Sequence, residues 1–302
     1  MISIQQMQYV LILSEELQFL RASERCFVTQ PTLSMQIKKA EETLGHPIFD
    51  RSTTPLSLTA FGKELLPILR EIMVENDRIK WLCERQNNSF KEEIKIGIIP
   101  TIASYMIPDL FGEWKELLPN VQLIIEELRT EELLLTMENK QLDLGLLAGP
   151  HYDPRVRTAP LFQEEILIYA PDFEGETMEL LDLENRQPWL LSKGNCLRTQ
   201  MMAFCKLNDQ TPTEWNYQGG NLDLLVDMVT RFGGYTLVPA NSHLNANIQL
   251  KRLHSPSGFP AREVIGIFGN RSLKKASIET LLRSIQLRYG QQVEGLNLLN
   301  WK

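Results

Sequence analysis

Cysteine and histidine are scarce in this sequence of 302 residues, which holds four of each. No Cys-x-x-Cys pair occurs and the histidines are scattered, so we expect neither a disulfide scaffold nor a metal site. The chain also lacks a Gly-rich phosphate loop and a nucleophile–base motif. These absences argue against an enzyme and predict that no cofactor is bound.

Long apolar runs are missing as well. No stretch approaches the roughly 20 apolar residues that a membrane helix needs, and MISIQQMQYV at the start has no basic segment followed by an apolar core. We therefore expect no membrane association and a cytoplasmic location, where thiols stay reduced. A length of 302 residues is more than one compact core usually serves and predicts two or three domains. The composition, with 43% apolar and 23% charged residues, is that of an ordinary globular protein.

Positive charge is in deficit, because the formal net charge is −7. Residues 1–88 carry a net charge of −1, and the remainder of the chain carries −6. This balance argues against a protein that coats nucleic acid in general. Any DNA contact must come from a few placed side chains in the first part of the chain.

The first sixty residues predict two helices across a tight turn. Apolar residues recur at helical spacing from Met7, and FLRASERCF fits a second short helix. In VTQPTLSMQIKKAEETLG, Thr29 is a good N-cap, Pro31 suits the first turn and Gly45 ends the helix. The buried stripe of this helix consists of Leu33, Ile37, Ala40 and Leu44. The pattern predicts a helix-turn-helix.

The opposite face of that helix is polar at its amino-terminal end. It carries Gln30, Thr32, Ser34, Met35 and Lys38. The first residues of a recognition helix meet base edges in the major groove, where Gln pairs with adenine and a Thr methyl contacts thymine. Lys38, Lys39 and Arg51 are candidates for phosphate contacts. The pattern alone also fits a small helical bundle with a solvated polar face.

Residues 59–88 predict one long helix. Its apolar residues alternate in steps of four and three, with Glu75 in the one missing place. They are Phe61, Leu65, Ile68, Ile72, Ile79 and Leu82. This spacing is typical of a coiled coil and predicts a homodimer, although a helix packed on its own domain has the same pattern. Pro67 is expected to bend the helix.

From residue 89 onward, strands and helices alternate. The first predicted set is the strand IKIGII, a helix from Thr101 to Leu118, the strand VQLIIEEL, a helix over 130–140 and the strand LDLGLLAG. The second set is the strand PWLLSKG, a helix from Leu197, a strand at 215–218, a helix over 222–232 and the strand YTLVPA, followed by EVIGIFGN and a helix over 275–288. The fold class is therefore α/β, with parallel strands and helices on the sheet faces.

Two such sets predict two lobes around a cleft. We place lobe I at about 89–164 and 267–302, and lobe II at about 165–266. Ligands in such folds bind beyond the carboxyl ends of strands, near helix N-termini. Thr101 and Thr130 each follow a strand and are candidates to face the cleft, with simple helix capping as the alternative.

The segment GNCLRTQMMAFC holds two cysteines nine positions apart, Cys196 and Cys205. On a continuous helix they lie about 13.5 Å apart, whereas a disulfide needs Cα atoms within about 7 Å. Cys196 falls in the first turn, where the helix N-terminus and Arg198 favour a thiolate. The residues alone leave two interpretations open: a redox pair that bonds when the helix unwinds, or two unrelated cysteines.

The stretch FLRASERCFVTQPTLSMQIKKAEETLGHPIFDRSTTPLSLTAFG resembles the winged helix-turn-helix of the LysR-type transcriptional regulators. The matching residues include Ala22-Ser23, Gln30-Pro31, Leu33-Ser34, Gln36-Ile37, Leu44-Gly45 and Leu58-Thr59. The resemblance implies a winged helix-turn-helix at 1–58, a dimerisation helix at 59–88 and a two-lobed, periplasmic-binding-protein-like regulatory domain at 89–302. It adds Pro31 to the DNA-binding residues. Met35 stands where many members have Arg, which removes one common base or phosphate contact. Residues 51–57 of the wing carry Arg51 as their single cation, so the wing is expected to hold DNA weakly.

The segment KGNCLRTQMMAFC is similar to the sensor segment of the hydrogen-peroxide-responsive activators within that family. GIIPTIASYMIP and EELRTEELL resemble the same proteins. The resemblance implies that Cys196 is peroxidatic and Cys205 resolving. It places Thr101, Thr130, Asn195 and Arg198 around the peroxide, with Asn195 where a His is common. Cys26 and Cys83 are interpreted as packing residues.

The function implied is a DNA-binding transcriptional regulator that senses hydrogen peroxide through a reversible Cys196–Cys205 disulfide and controls oxidative-stress genes, with activation as the expected effect. Its expected partners are double-stranded promoter DNA, RNA polymerase and further copies of itself, as a homodimer or homotetramer. The first alternative is a LysR-type regulator of a small organic metabolite in the cleft, with incidental cysteines. The second is a solute-binding or catalytic protein, which leaves the N-terminal part unexplained.

Overall fold

The computed structural model describes residues 1–53, 55–85, 92–184, 186–207, 219–244, 248–269, 272, 274–290 and 295–299. The chain forms two compact units, Met1–Phe90 and Lys91–Lys302. Among the described helices, none combines the length and the apolar character that crossing a bilayer demands.

The first unit is a winged helix-turn-helix, as predicted. Its elements are α1 (Ile4–Glu16), α2 (Phe19–Arg25), α3 (Gln30–Leu44), β1 (Phe49–Asp50) and β2 (Ser57–Leu58). Strands β1 and β2 pair antiparallel and form the wing. The predicted stripe of α3 is buried in the core of this unit at Leu33, Ile37 and Ala40.

Local signals fix the ends of α3. Thr29 is the N-cap, and its Oγ1 accepts from the backbone N–H of Thr32. Gly45 ends the helix at φ 76°, a left-handed conformation that residues with a Cβ adopt at a cost. Glu41, near the end of the helix, accepts from the backbone N–H groups of Ile48 and Phe49, which ties the wing to α3.

The long helix α4 spans Ala60–Arg85 and contains Pro67 without interruption. On its surface Ile68, Ile72 and Ile79 are exposed. An apolar row at this spacing leaves a helix face that a second helix can cover. The side chain of Cys83 and residues 86–91 lie outside the described part of the chain.

The second unit is built on a mixed sheet, whereas the sequence predicted a parallel one. The strands in spatial order are β4 (Val121–Glu127), β3 (Glu92–Ile98), β5 (Leu144–Ala148), β10 (Phe259–Gly269), β6 (Val156–Tyr169) and β8 (Thr236–Pro239). Strands β3, β4 and β5 are parallel, but β10 runs antiparallel to β5 and β6. The difference arises because β6 and β10 carry the chain from one lobe to the other and back.

Two hydrophobic cores define the lobes. Along β6, Leu161 and Phe162 pack in the first core, while Ile166 and Ile168 pack in the second. Along β10, Val264 already belongs to the first core. The chain has therefore re-entered the first core by Val264, within a few residues of the expected boundary at about 267.

The C-terminal segment also departs from the prediction, which assigned it to lobe I. Strand β11 (Leu296–Leu298) pairs with the start of β10, and Leu299 packs against the second core. The remaining short strands, β7 (Thr177–Glu179) and β9 (Arg252–His254), pair with each other in parallel.

The helices of this unit are α5 (Pro100–Leu117), α6 (Thr130–Glu138), α7 (Cys196–Phe204), α8 (Leu222–Phe232) and α9 (Lys275–Tyr289). Their N-caps correct one expectation. The N-cap of α5 is Ile99 and that of α6 is Arg129, so Thr101 and Thr130 lie inside the first turn. Neither hydroxyl is needed as a cap, which leaves both for other contacts.

The predicted strand PWLLSKG is an extended segment with a single bridge, between Pro188 and Tyr235. Pro188 has no N–H to continue a ladder, and Ser192 donates instead to the carbonyl of Gly219. The predicted strand at 215–218 lies outside the described residues.

Candidate functional site

The two cysteines bracket α7. Cys196 is its first residue and Cys205 its C-cap. A continuous helix of this length separates the two Cα atoms by about 13.5 Å, and a disulfide requires about 7 Å or less. Both thiols are free. The predicted helical separation is confirmed, so a bond between them requires α7 to unwind.

The first side chain of α7 packs in a different core from the rest of the helix. Leu197, Met201 and Phe204 pack in the second core, whereas Cys196 packs in the first core. Cys196 is 5% exposed. The helix therefore belongs to lobe II but projects its first side chain onto lobe I.

Burial raises the pKa of the Cys196 thiol, which corrects the expectation of a ready thiolate. Three opposing effects favour the thiolate: the charge of Arg262, a hydrogen bond from the Thr130 hydroxyl, and the backbone N–H groups of Leu197 and Cys196. The helix N-terminus acts as predicted, but desolvation of the buried sulfur is larger.

The cation that acts on Cys196 is Arg262, on β10, which the sequence analysis missed. Its side chain is fully buried and forms an ion pair with Glu164 on β6, with Nε 2.7 Å from Oε2. Its Nη1 and Nη2 donate to the Oγ1 and the backbone O of Thr101. Arg262 was overlooked because AREVIGIFG reads as an ordinary strand, and only packing brings it beside Cys196.

Glu164 connects the two lobes. Its Oε2 accepts from Arg262 and from the Tyr105 hydroxyl, and its Oε1 accepts from the backbone and side-chain N–H groups of Asn241. Tyr105 belongs to α5 in lobe I, while Asn241 follows β8 in lobe II. Two of the predicted site residues, Thr101 and Thr130, thus contact this network or the thiol itself.

The side chains of the other two predicted site residues, Asn195 and Arg198, donate hydrogen bonds to the loop before α7. The Asn195 amide donates to the O and Oγ atoms of Ser192, at 3.0 Å each. Nη1 of Arg198 donates to the backbone O of Leu191, at 2.9 Å. Both contacts shape the loop that leads into α7.

The environment of Cys205 is different. Its side chain packs beside the second core, which contains Tyr235. Burial raises the pKa of the Cys205 thiol to about 12, with Tyr235 acting in the opposite direction. Cys205 is therefore a neutral thiol in this conformation.

A cleft of about 390 Å³ lies next to Thr101. Its lining includes the first turns of α5 and α8, the carboxylates of Glu127 and Asp223, and the loop at residues 242–244. Thr101 therefore lies between this cleft and the buried Arg262.

Of the predicted DNA-binding residues, all but Arg51 lie on α3, and Arg51 directly follows β1. Exposed side chains are Gln30, Pro31, Met35, Lys38, Lys39 and Arg51, while Thr32 and Ser34 are half-buried. Arg51 forms a 3.0 Å ion pair with Glu41 and lies over the Phe19 ring. Lys38 makes a loose 3.8 Å contact with Glu42. The wing cation is therefore already paired within the fold.

Across the described residues, no group of three His, Cys, Asp or Glu side chains could hold a metal ion. The chemistry of the site is that of two thiols and the polar groups around them.

Two family models match the chain. Residues 4–63 match the bacterial regulatory helix-turn-helix protein, lysR family, and residues 87–286 match the LysR substrate binding domain.

Named relatives agree with these matches. A hydrogen peroxide-inducible genes activator of Pectobacterium carotovorum is 30% identical over 244 residues, which covers 80% of each chain. The DNA-binding transcriptional dual regulator OxyR of Escherichia coli K12 is 30% identical over 242 residues, 79% of each chain. A full-length OxyR variant of Pseudomonas aeruginosa has a TM-score of 0.73 at 27% identity and covers 95% of this chain and 98% of that one. This chain therefore belongs to the LysR family of bacterial helix-turn-helix regulators, and within it is similar to the OxyR proteins.

Proposed function

We propose that this chain is a DNA-binding transcriptional regulator that senses hydrogen peroxide through Cys196 and Cys205. The observation that supports the proposal best is the position of the two thiols at opposite ends of α7. One thiol lies near a buried cation and the Thr130 hydroxyl, and the other packs beside the second core. The similarity to OxyR proteins points the same way.

The first step is oxidation of Cys196. Its thiolate attacks one oxygen of hydrogen peroxide and breaks the O–O bond, which gives a sulfenic acid. The departing hydroxide takes up a proton and leaves as water. Arg262 and Thr130 favour the thiolate. The Thr101 hydroxyl accepts a hydrogen bond from Arg262 and so helps to fix its guanidinium. We assign Asn195 and Arg198 to holding the loop before α7 rather than to contacting peroxide.

The second step joins the sulfurs. The Cys205 sulfur attacks the Cys196 sulfur, the S–O bond breaks, and hydroxide leaves with the thiol proton as water. Because the intact helix holds the thiols too far apart, α7 must lose its turns first. Leu197, Met201 and Phe204 would then leave the second core, so oxidation changes the shape of the regulatory unit.

We further propose the domain roles. Residues 1–58 bind promoter DNA through α3 and the wing, residues 59–88 pair two subunits, and residues 89–302 sense the oxidant. A dimer presents two recognition helices to a two-fold related site. The exposed apolar row on α4 supports this pairing. We also propose that the dimers assemble into a homotetramer, and that the protein activates transcription by recruiting RNA polymerase.

The redox step is tested by peptide mapping. Peroxide-treated protein digested with protease should yield a reducible cross-link between the Cys196 and Cys205 peptides. Cys26→Ser serves as the control, because Cys26 is also free and half-buried and its removal should change nothing. Both thiols remaining reduced, at peroxide levels that oxidise no other cysteine, would contradict the mechanism.

DNA recognition is tested separately on α3. Gln30→Ala should cost about 1–3 kcal/mol at the matching base pair and relax specificity there. Lys39→Ala should weaken binding uniformly and lower the salt slope by about one. Titrations of both variants against matched and mismatched operators at several salt concentrations separate the two effects.

The cleft supports one alternative, regulation by a small organic metabolite with incidental cysteines. A ligand that raises the melting temperature equally in wild type and Cys196→Ser, together with an absent cross-link, would favour it. The similarity to OxyR proteins does not favour it.

A further inference from the structure

The last described segment of the chain docks onto β10 and the second core. This segment, Gly295–Leu299, includes β11 and is called the C-terminal strap from here on. The backbone N–H of Phe259 donates to the carbonyl of Gly295 at 3.2 Å, and the N–H of Leu299 donates to the carbonyl of Ala261 at 2.7 Å. Both ends of the strap are therefore tied to the start of β10.

The turn before β10 also fits the strap closely. Gly258 adopts φ 107°, and a Cβ there would lie 2.8 Å from the carbonyl oxygen of Gly295, so a larger residue would push the strap away. The side-chain amide of Asn297 donates to Oγ of Ser257 at 2.9 Å. These contacts give the strap a defined position on lobe II.

The strap contacts α7 midway between the two cysteines. Nε2 of Gln200 donates to the carbonyl oxygen of Leu299 at 3.4 Å. Gln200 is 0% exposed, and its Oε1 meets no donor among the described residues, so the Leu299 carbonyl is the one partner of this amide within that part of the chain. The Leu299 side chain packs against the second core, which also contains Leu197, Met201 and Phe204 of α7.

We propose that the C-terminal strap restrains α7 in the reduced protein and undocks at Leu299 when α7 unwinds for disulfide formation. This proposal rests on the proposed roles of the two thiols. It concerns the second step alone, in which the Cys205 sulfur displaces hydroxide from the Cys196 sulfenic acid and water is released.

Unwinding removes both contacts between α7 and the strap. Gln200 lies within the segment that must lose its helical backbone before the sulfurs can meet. When its amide leaves, the Leu299 carbonyl loses a donor, and the departure of the apolar side chains of α7 uncovers the Leu299 side chain. The same contacts oppose unwinding while they are intact. Because coupling free energies are reciprocal, the disulfide must loosen the strap by the factor by which the strap disfavours the disulfide.

Two neighbouring leucines of the strap provide matched variants. Successive side chains of an extended segment point to opposite faces, so Leu299 packs against the second core whereas Leu298 is exposed. Leu299→Ala therefore weakens the hold on α7, and Leu298→Ala removes the same atoms from a solvent-facing position. Since Leu299 is only half-buried, its truncation should speed disulfide formation by about three- to tenfold, less than for a fully buried leucine.

The first measurement follows both oxidation steps in the full-length protein. Reduced wild type and the two variants are mixed with hydrogen peroxide and quenched at intervals. Mass spectrometry with a sulfenic-acid trap and a thiol-blocking reagent then gives both rate constants. We expect Leu299→Ala to form the disulfide faster with an unchanged rate of sulfenic acid formation, and Leu298→Ala to behave as wild type.

The second measurement needs no variant. Hydrogen–deuterium exchange compares the peptide that contains the strap in reduced and disulfide-bonded wild type. The amide of Leu299 is bonded to Ala261 in the reduced protein, and it should exchange about tenfold faster after oxidation, because undocking exposes it to solvent.

Equal acceleration in both leucine variants would overturn the proposal in favour of general loosening of lobe II. Unchanged or slower disulfide formation in Leu299→Ala would also overturn it, as would unchanged exchange of the strap in oxidised wild type. Wild-type protein that forms no disulfide would instead contradict the proposed function, and the restraint by the strap would fall with it.

Discussion

The two ends of α7 differ in what surrounds the sulfur. At the first end, Cys196 has a buried guanidinium, a threonine hydroxyl and two backbone N–H groups around it. At the other, Cys205 lies beside the apolar second core. Cys196 is buried and Cys205 is half-buried. Both pKa values are raised, but only Cys196 has a cation among the causes that oppose the shift.

This difference indicates that Cys196 is the reactive thiol and that Cys205 is held unreactive in the reduced protein. A buried sulfur with a nearby cation can form its thiolate more readily when that cation is released from other partners. Arg262 is paired with Glu164, which is itself bound to both lobes. The reactivity of Cys196 is therefore linked to the arrangement of the lobes, whereas Cys205 depends on the packing of lobe II alone.

The largest effect is expected from Arg262→Met. It removes the cation beside Cys196 and leaves Glu164 buried without its partner, which should cost about 3–5 kcal/mol in the free energy of unfolding. Oxidation of Cys196 should slow by about tenfold or more at neutral pH, because an opposite charge shifts a pKa by about one to three units. Urea denaturation and stopped-flow oxidation measure the two changes.

Two controls accompany that variant. Arg198→Met removes a charge two residues from Cys196 that donates to Leu191, and it should leave the oxidation rate within about twofold of wild type. The double variant Arg262→Met with Glu164→Leu should regain stability but keep the slow oxidation. A fast-reacting double variant would show that Arg262 does not activate the thiol.

Thr130→Val should have the next largest effect. The substitution preserves the shape and removes the hydroxyl that bonds the Cys196 sulfur. Hydrogen bonds to a charged group contribute about 1.5–3 kcal/mol, so oxidation should slow by about tenfold. Asn195→Ala, which removes the two side-chain hydrogen bonds to Ser192, should change the rate far less. The reverse ranking would place Asn195 at the peroxide and remove Thr130 from it.

The smallest effect is the pH dependence of the free energy of unfolding that arises from the Cys205 thiol. The pKa of Cys205 is about 12 in the folded chain against an ordinary value of 9.0. A raised folded pKa stabilises the protein below the unfolded pKa, and this contribution is lost as pH rises from about 9 toward 12. Between pH 9 and 10.5 the reduced protein should lose at most about 2 kcal/mol through this thiol.

Comparison with Cys205→Ser isolates that loss from other groups that titrate in alkali. Wild type and variant should diverge in urea unfolding experiments as the pH rises above 9 under reducing conditions. Parallel curves for the two proteins would mean that Cys205 is not stored as a buried thiol.

Local sequence signals fixed much of the fold. Thr29 and Gly45 bound α3 as expected, and the helix predicted at 222–232 is found as Leu222–Phe232. These elements carry caps and apolar periodicity within the segment itself. Strand β6 was recognised only as the boundary between the lobes, because Pro160 and the charged residues Arg157, Glu164 and Glu165 interrupt its alternation.

The separation of the two thiols was also predictable from the local sequence. Once the segment is a helix, a spacing of nine residues sets the distance between the two cysteines, independently of the rest of the chain. The electrostatic setting was not. Arg262 is 66 positions from Cys196 in the chain, and it stands in no recognisable motif. Its role depends on long-range packing, since the strength of a charge or a hydrogen bond is decided by distance and burial in three dimensions.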